Sequence, residues 1–268
     1  MLKDITLGQY FPGDTPVHRL DPRTKLILTV VYIAALFTAN TWAGYGLVFL
    51  ALAAVTALGH IPPRAMIRGL KPLLFIIVFT GILNLFFTTG DTYVFQWRFI
   101  HISDTGLRNA VAMVLRVTLL VAGTFLLTYT TSPLAITDGL EMLLSPLKKL
   151  KVPVYELSLM MSIALRFIPT LIEETDRILS AQKARGADLE TGSLLQRAKA
   201  LLPLLIPLFV SAFRRADELA TAMECRCYNG GQGRTRMKTL RMARRDLIAF
   251  LLGAALTAGV ILLRQAGV

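Results

Sequence analysis

Charge is scarce in this chain. Of its 268 residues only 17% are Asp, Glu, Lys or Arg, against about a quarter in a soluble domain, while 54% are apolar. With a mean hydropathy of +0.57, an ordinary soluble domain is excluded and a bilayer is implied. Cysteine is nearly absent: Cys225 and Cys227 stand two apart, a poor disulfide spacing within one helical turn and two ligands short of a structural zinc site. They read as small, buried-type residues at a packed helix end. The three histidines, His18, His60 and His101, are too dispersed for the catalytic cluster of a membrane-bound enzyme. No G-x-x-x-x-G-K-[ST] sequence is present to wrap phosphates, so this chain is not expected to hydrolyse ATP itself. The long apolar runs also lack Asp and Glu, which argues against a proton-driven transporter.

What is present in excess is positive charge, a net +12. Eighteen of the 29 basic residues lie between Pro133 and Arg245, beside eleven of the 17 acidic ones. A segment charged in both signs, without aromatic-studded basic stripes, does not read as a nucleic-acid surface. Basic residues beside apolar runs instead mark the cytoplasmic side. The N-terminus, with Asp4, Pro12, Gly13, Asp14, Asp21 and Pro22, is no cleavable signal peptide, and it is expected in the cytoplasm.

Five membrane spans follow. The 33 uncharged residues from Leu26 to Leu58 exceed one crossing of ~20 residues, and Ala39-Asn40-Thr41-Trp42 divides them into a hairpin. A third span runs from about Pro72 to Thr88, and an external segment with Asp91, Trp97 and Asp104 leads to a fourth from about Leu107 to Thr130. The last covers Leu247 to Leu263, after the basic residues Arg234, Arg236, Lys238, Arg241, Arg244 and Arg245. Arg108 stands at the very start of the fourth span, so Arg116 is the one charge inside a span to explain, expected to reach the interface or bond a neighbouring helix. The fold class is thus an all-α integral membrane protein of about five transmembrane helices with a cytoplasmic domain of long amphipathic helices. Its parts are residues 1–25 (cytoplasmic N-terminal segment), 26–131 (helices 1–4), 132–245 (cytoplasmic domain) and 246–268 (C-terminal span). Within 132–245, the apolar stretches Tyr155–Ile172, carrying Glu156, Arg166 and Pro169, and Ala200–Phe213, carrying Pro203 and Pro207, suggest helices lying at the membrane surface or packed on each other.

The most informative pattern occurs twice in that domain. Ala184-Arg185-Gly186 and, 41 residues on, Cys225-Arg226-Cys227 each place an arginine between small residues at a helix end, and at the same offset Asp176 falls on Asp217 and Ala181 on Ala222. One arginine in a last turn needs only the helix dipole to explain it, at ~0.3–1 kcal/mol. Two, each on an uncluttered tip, suit bidentate pairing with carboxylates in two equivalent sockets. Gly186 and the turn Asn229-Gly230-Gly231 are expected to end the two helices.

These residues resemble the transmembrane T component (EcfT, CbiQ-like) of energy-coupling factor (ECF) importers, a branch of the ATP-binding-cassette transporters. The family carries two Ala-Arg-Gly-type motifs, matched by Ala184-Arg185-Gly186 and, with cysteines replacing both neighbours, by Cys225-Arg226-Cys227. The opening Gly8-Gln9-Tyr10, Pro12-Gly13-Asp14 and His18-Arg19-Leu20-Asp21-Pro22-Arg23-Thr24-Lys25 is similar too. The resemblance implies a non-catalytic coupling subunit of a bacterial or archaeal cell membrane. It implies two cytosolic ATPases, of EcfA and EcfA′ type, holding Arg185 and Arg226, and a membrane S component that captures a vitamin or metal. No cofactor is expected on the chain itself, since ATP would sit on the ATPases. Met160 and Met161 are candidates for an adaptable S-component surface, or for core packing. The alternative is a self-contained permease or channel, for which Thr80, Asn84, Arg116 and Thr118 are the few polar span residues.

Overall fold

The computed structural model describes residues 10–88, 93–97, 100–186, 194–230 and 239–266. Gly8, Gln9, Asp91, Gly231, Arg234, Arg236 and Lys238 lie outside them. The chain divides into two units, Gly8–Met142 with Leu240–Val268, and Leu143–Thr239.

The first unit begins where Asp21 caps α1 (Pro22–Thr38). Its carboxylate accepts from the Arg23 amide at 2.9 Å, and Pro22 fills the first helical position, where a missing N–H costs nothing. The chain then turns at Ala39–Thr41, and the Thr41 hydroxyl caps α2 (Trp42–Leu58) by accepting from the Gly44 amide at 3.2 Å. At 17 residues each, these helices are about 25 Å long, close to the ~30 Å hydrocarbon layer. A short α3 (Pro63–Leu70) leads through a 3₁₀ turn into α4 (Leu74–Phe87). Among the described residues strand occurs in the connection that follows, where β1 (Tyr93–Trp97) pairs antiparallel with β2 (Ile100–Ser103), Trp97 opposite Ile100. Ser103 then caps α5 (Asp104–Thr130), accepting from the Gly106 amide at 2.9 Å and donating to the Thr88 carbonyl at 3.0 Å, so one hydroxyl ties the start of α5 to the end of α4. After α6 (Pro133–Leu143), the unit is completed by α9 (Arg244–Ala266).

Leu36, Ala39, Tyr45, Val48, Leu119 and Val260 form the core, drawn from α1, α2, α5 and α9. Arg116 of α5 reaches over one edge of it. Its Nη2 donates to the Tyr45 hydroxyl at 2.6 Å, the Ala39 carbonyl at 3.2 Å and the Asn40 amide oxygen at 3.2 Å, and the guanidinium lies 5.7 Å from the Tyr45 ring centroid. Arg116 therefore bonds a neighbouring helix, latching α5 onto the α1–α2 turn, where the Ala39 carbonyl ends α1 and carries the negative end of its dipole.

At the other end of the same helices, buried polar groups knot three chain segments together. Asp246 accepts from the Asp21 amide at 2.9 Å and from the Ala243 amide at 2.7 Å. Lys25 donates to the carbonyls of Thr130 at 2.8 Å and His18 at 3.1 Å, and Arg23 donates to the Leu240 carbonyl at 3.2 Å. A Cβ on Gly139 of α6 would stand 3.1 Å from Pro22. The residues on either side of 143–239 thus both close on the first turn of α1. The His18 ring bonds the Thr15 hydroxyl through Nδ1 and the Phe11 carbonyl through Nε2, and burial pushes its pKa below the usual imidazole range.

The second unit is built on α7 (Val154–Ala184) and α8 (Leu194–Glu224), 31 residues each. The apolar stretches 155–172 and 200–213 are parts of these longer helices, which continue through Pro169, Pro203 and Pro207. Proline denies a hydrogen bond to the carbonyl four residues back. For Pro207 that carbonyl belongs to Pro203, and the Gln182 side-chain amide of α7 donates to it at 3.4 Å, so the contact between the helices helps offset the missing bond. By length and composition α7 would also suffice for a crossing, as would the Pro63–Phe87, Asp104–Thr130 and Arg244–Ala266 segments.

Candidate functional site

The two arginine motifs close their helices with one geometry. Arg185 is the C-cap of α7, its amide donating to the carbonyls of Ala181 at 3.2 Å and Gln182 at 3.1 Å. The next amide, of Gly186, donates to Lys183 at 3.0 Å from a left-handed backbone, φ +87°. At the end of α8 the Arg226 amide donates to Met223 at 3.1 Å, and the Cys227 amide donates to Glu224 at 2.8 Å from a left-handed backbone, φ +57°. The Tyr228 amide reaches back to Met223 at 3.0 Å, completing a Schellman closure. Each arginine therefore occupies the last position before the reversal, and the 41-residue repeat is one of backbone shape as well as of residue type.

Two expectations about this site need correcting. The second helix ends at Glu224 and its closing turn reverses at Cys227, ahead of the Asn229-Gly230-Gly231 turn, because the Schellman bonds fix the left-handed residue directly after Arg226. The position that favours glycine is here filled by a side chain. The cysteines are also exposed free thiols rather than buried packing residues. Small side chains leave the arginine clear of neighbours. Ala184, Arg185, Gly186, Cys225, Arg226 and Cys227 are all exposed, and nothing lies within 4 Å of the place a Cβ would take on Gly186. Neither guanidinium forms an ion pair among the described residues, so both keep their full set of donors.

The helices behind the tips meet at a pair that reading for tips alone passes over. Arg215 of α8 donates from Nη2 to Glu174 Oε2 of α7 at 3.1 Å. The repeat offset contains the signal, for 174 and 215 are also 41 apart. Along α8, Leu201, Leu205, Phe209 and Phe213 recur every four residues, and all are exposed, Phe213 at 72%. On α7, Met160 and Met161 are exposed at 56% and 54%, so they are not core packing. Exposed apolar stripes of this length mark lipid or partner surfaces. Among the described residues no cluster of His, Cys, Asp or Glu could hold a metal ion.

A family model described as CbiQ, cobalt transport protein, matches residues 13–238, a stretch that takes in both arginine motifs and the first four spans. The chain belongs to the CbiQ/EcfT family. Over 248 residues it is 53% identical to the energy-coupling factor transporter transmembrane protein EcfT of Ruminiclostridium cellulolyticum, covering 92% of each chain. It is 54% identical over 246 residues to the protein of the same description from Heliobacterium modesticaldum, again covering 92% of each. With that of Bacillus subtilis it shares 48% over 259 residues, 96% of this chain and 98% of the other. Near-complete coverage at this identity makes it the multi-pass transmembrane component of an ECF transporter, and its apolar helices accord with that place.

Proposed function

We propose that this EcfT-family chain couples two cytosolic ATPases to a substrate-capturing S component, with Arg185 and Arg226 as the plugs by which the ATPases grip it. The observation that carries the reading is the pair of helix ends, alike in backbone closure, exposure and unpaired guanidinium, since two equivalent plugs suit two equivalent sockets. A planar fork of N–H donors on a bare tip matches a carboxylate-lined groove. The exposed apolar residues of α8, with Met160 and Met161 on α7, offer the S component a surface without fixed polar partners, and thioether side chains repack against differing occupants. In this arrangement ATP stays on the ATPases and the imported vitamin or metal on the S component, while the chain itself transmits motion. The cytoplasmic side is then the side of residues 143–239.

Purification in mild detergent of the tagged chain co-expressed with its candidate ATPases tests the reading. Recovery of both ATPases with the wild-type chain supports it; a chain that sustains uptake without retaining any ATPase would refute it.

A further inference from the structure

The ends of α1, α2, α5 and α9 that lie near the Asp21–Asp246 knot enclose a cavity of about 400 Å³, within the ~300–1,000 Å³ usual for ligand pockets. Its walls are apolar: Leu28, Leu52, Leu126, Leu127, Ile248 and Leu252 among them, with Pro16, Val17 and Leu20 from the N-terminal segment across one side. Around the cavity the helices draw close where glycines allow it. A Cβ on Gly253 would fall 2.6 Å from Leu28, and one on Gly123 would strike the Tyr32 ring. Away from these contacts the helices part and leave the space between them. Protein interiors are close-packed, and an apolar space does not hold ordered water. Hydrocarbon is the filling that suits these walls.

The cavity's polar groups select which hydrocarbon. Lys25 and Arg245 both line it, and both stand in the first turns of their helices, α1 and α9, where a phospholipid headgroup would lie. Lys25 has two of its three N–H groups engaged by the His18 and Thr130 carbonyls. Arg245 is exposed and forms no ion pair among the described residues. The carboxylate beside it, Asp246, is turned instead onto the Asp21 and Ala243 amides. The charged side chains that line the cavity are Lys25 and Arg245, so its lining is positive beside an apolar slot, the pairing that anionic headgroups seek between membrane helices.

We infer that this cavity binds one anionic phospholipid, an acyl chain lying between α1, α2, α5 and α9 and its phosphate facing Arg245. The site is separate from the arginine tips, and it stands whether or not those tips hold ATPases.

The test is native mass spectrometry of the full chain, delipidated in detergent and titrated with phosphatidylglycerol or phosphatidylcholine of identical acyl chains. The wild type should retain one phosphatidylglycerol in preference to phosphatidylcholine. Arg245→Gln, at an exposed position, should weaken phosphatidylglycerol retention about fivefold, the worth of one cation at an anionic surface, and leave phosphatidylcholine unchanged. Ala249→Trp, which fills the slot, should reduce retention of both. Equal retention of the two lipids by the wild type, no retained lipid, or an Arg245→Gln chain with wild-type preference would each overturn the inference. Should Ala249→Trp prove unstable, the Arg245→Gln comparison decides alone.

Discussion

Glu174 and Arg215 join α7 to α8 at 3.1 Å, and each stands eleven residues ahead of its own helix's terminal arginine, residue 174 before 185 and residue 215 before 226. The pair thus fixes a crossing point from which both tips are equally distant along their helices, about 16 Å at 1.5 Å per residue. Equal reach matters if both ends are used, as the proposed grip on two ATPases requires.

Replacing Arg185 and Arg226 together with alanine should abolish ATP-driven uptake while leaving membrane insertion intact. Each truncation should cost about 2–5 kcal/mol of ATPase binding if the guanidinium is buried against a carboxylate in the assembly. Uptake assays with membrane-fraction blots check this. Aspartate at either tip should be worse than alanine, because it adds repulsion to an acidic groove.

The Glu174–Arg215 contact is tested by exchange of its charges. Glu174→Arg alone sets two like charges together, and it should lower transport per ATP hydrolysed; adding Arg215→Glu should restore it. Both side chains are about a quarter to a third exposed, so the stability change should stay within about 1 kcal/mol. The ratio of uptake to hydrolysis is the informative measurement, and a double variant no better than the single one would remove the pair from the mechanism.

Cys227 holds a left-handed backbone that disfavours a Cβ by roughly 1–2 kcal/mol. Cys227→Gly should therefore raise the thermal unfolding midpoint of the detergent-solubilised chain, with the Schellman closure after Arg226 retained.

The exposed thiols flanking Arg226 report occupancy of that tip. A maleimide should label Cys225 and Cys227 readily in the isolated chain and slowly in the assembled transporter. Equal labelling in both would place the second tip outside any interface.

Asp246 is 2% exposed and bonds two amides. Asp246→Ala leaves those donors buried without a partner, and it should cost about 1–3 kcal/mol of stability, seen as a lowered unfolding midpoint. Asp246→Asn retains one acceptor oxygen and should lose less.

Much of this was legible from sequence, for definite reasons. Long uncharged runs betray spans because a bilayer tolerates little else, and the Ala39–Thr41 break shows itself through Asn40 and the capping Thr41. The arginine repeat was visible because helix ends are punctuated by residue type. What escaped depends on pairings distant along the chain. Nothing near Pro203 and Pro207 in sequence announces that Gln182 reaches the carbonyl left free. Cys227 hides its backbone reversal behind a residue that rarely adopts one. The knot linking Asp21, Lys25 and Asp246 joins residues more than two hundred positions apart, beyond any local pattern.

The matched eleven-residue arms carry a mechanical consequence. Two rods pinned at a common point behave as a pair of shears: a swing of about 10° at the pin sweeps each end through about 3 Å, given arms of ~16 Å. If the two tips carry the proposed ATPases, matched arms give neither of them leverage over the other, and a closing stroke shared between them turns the pin without dragging it sideways.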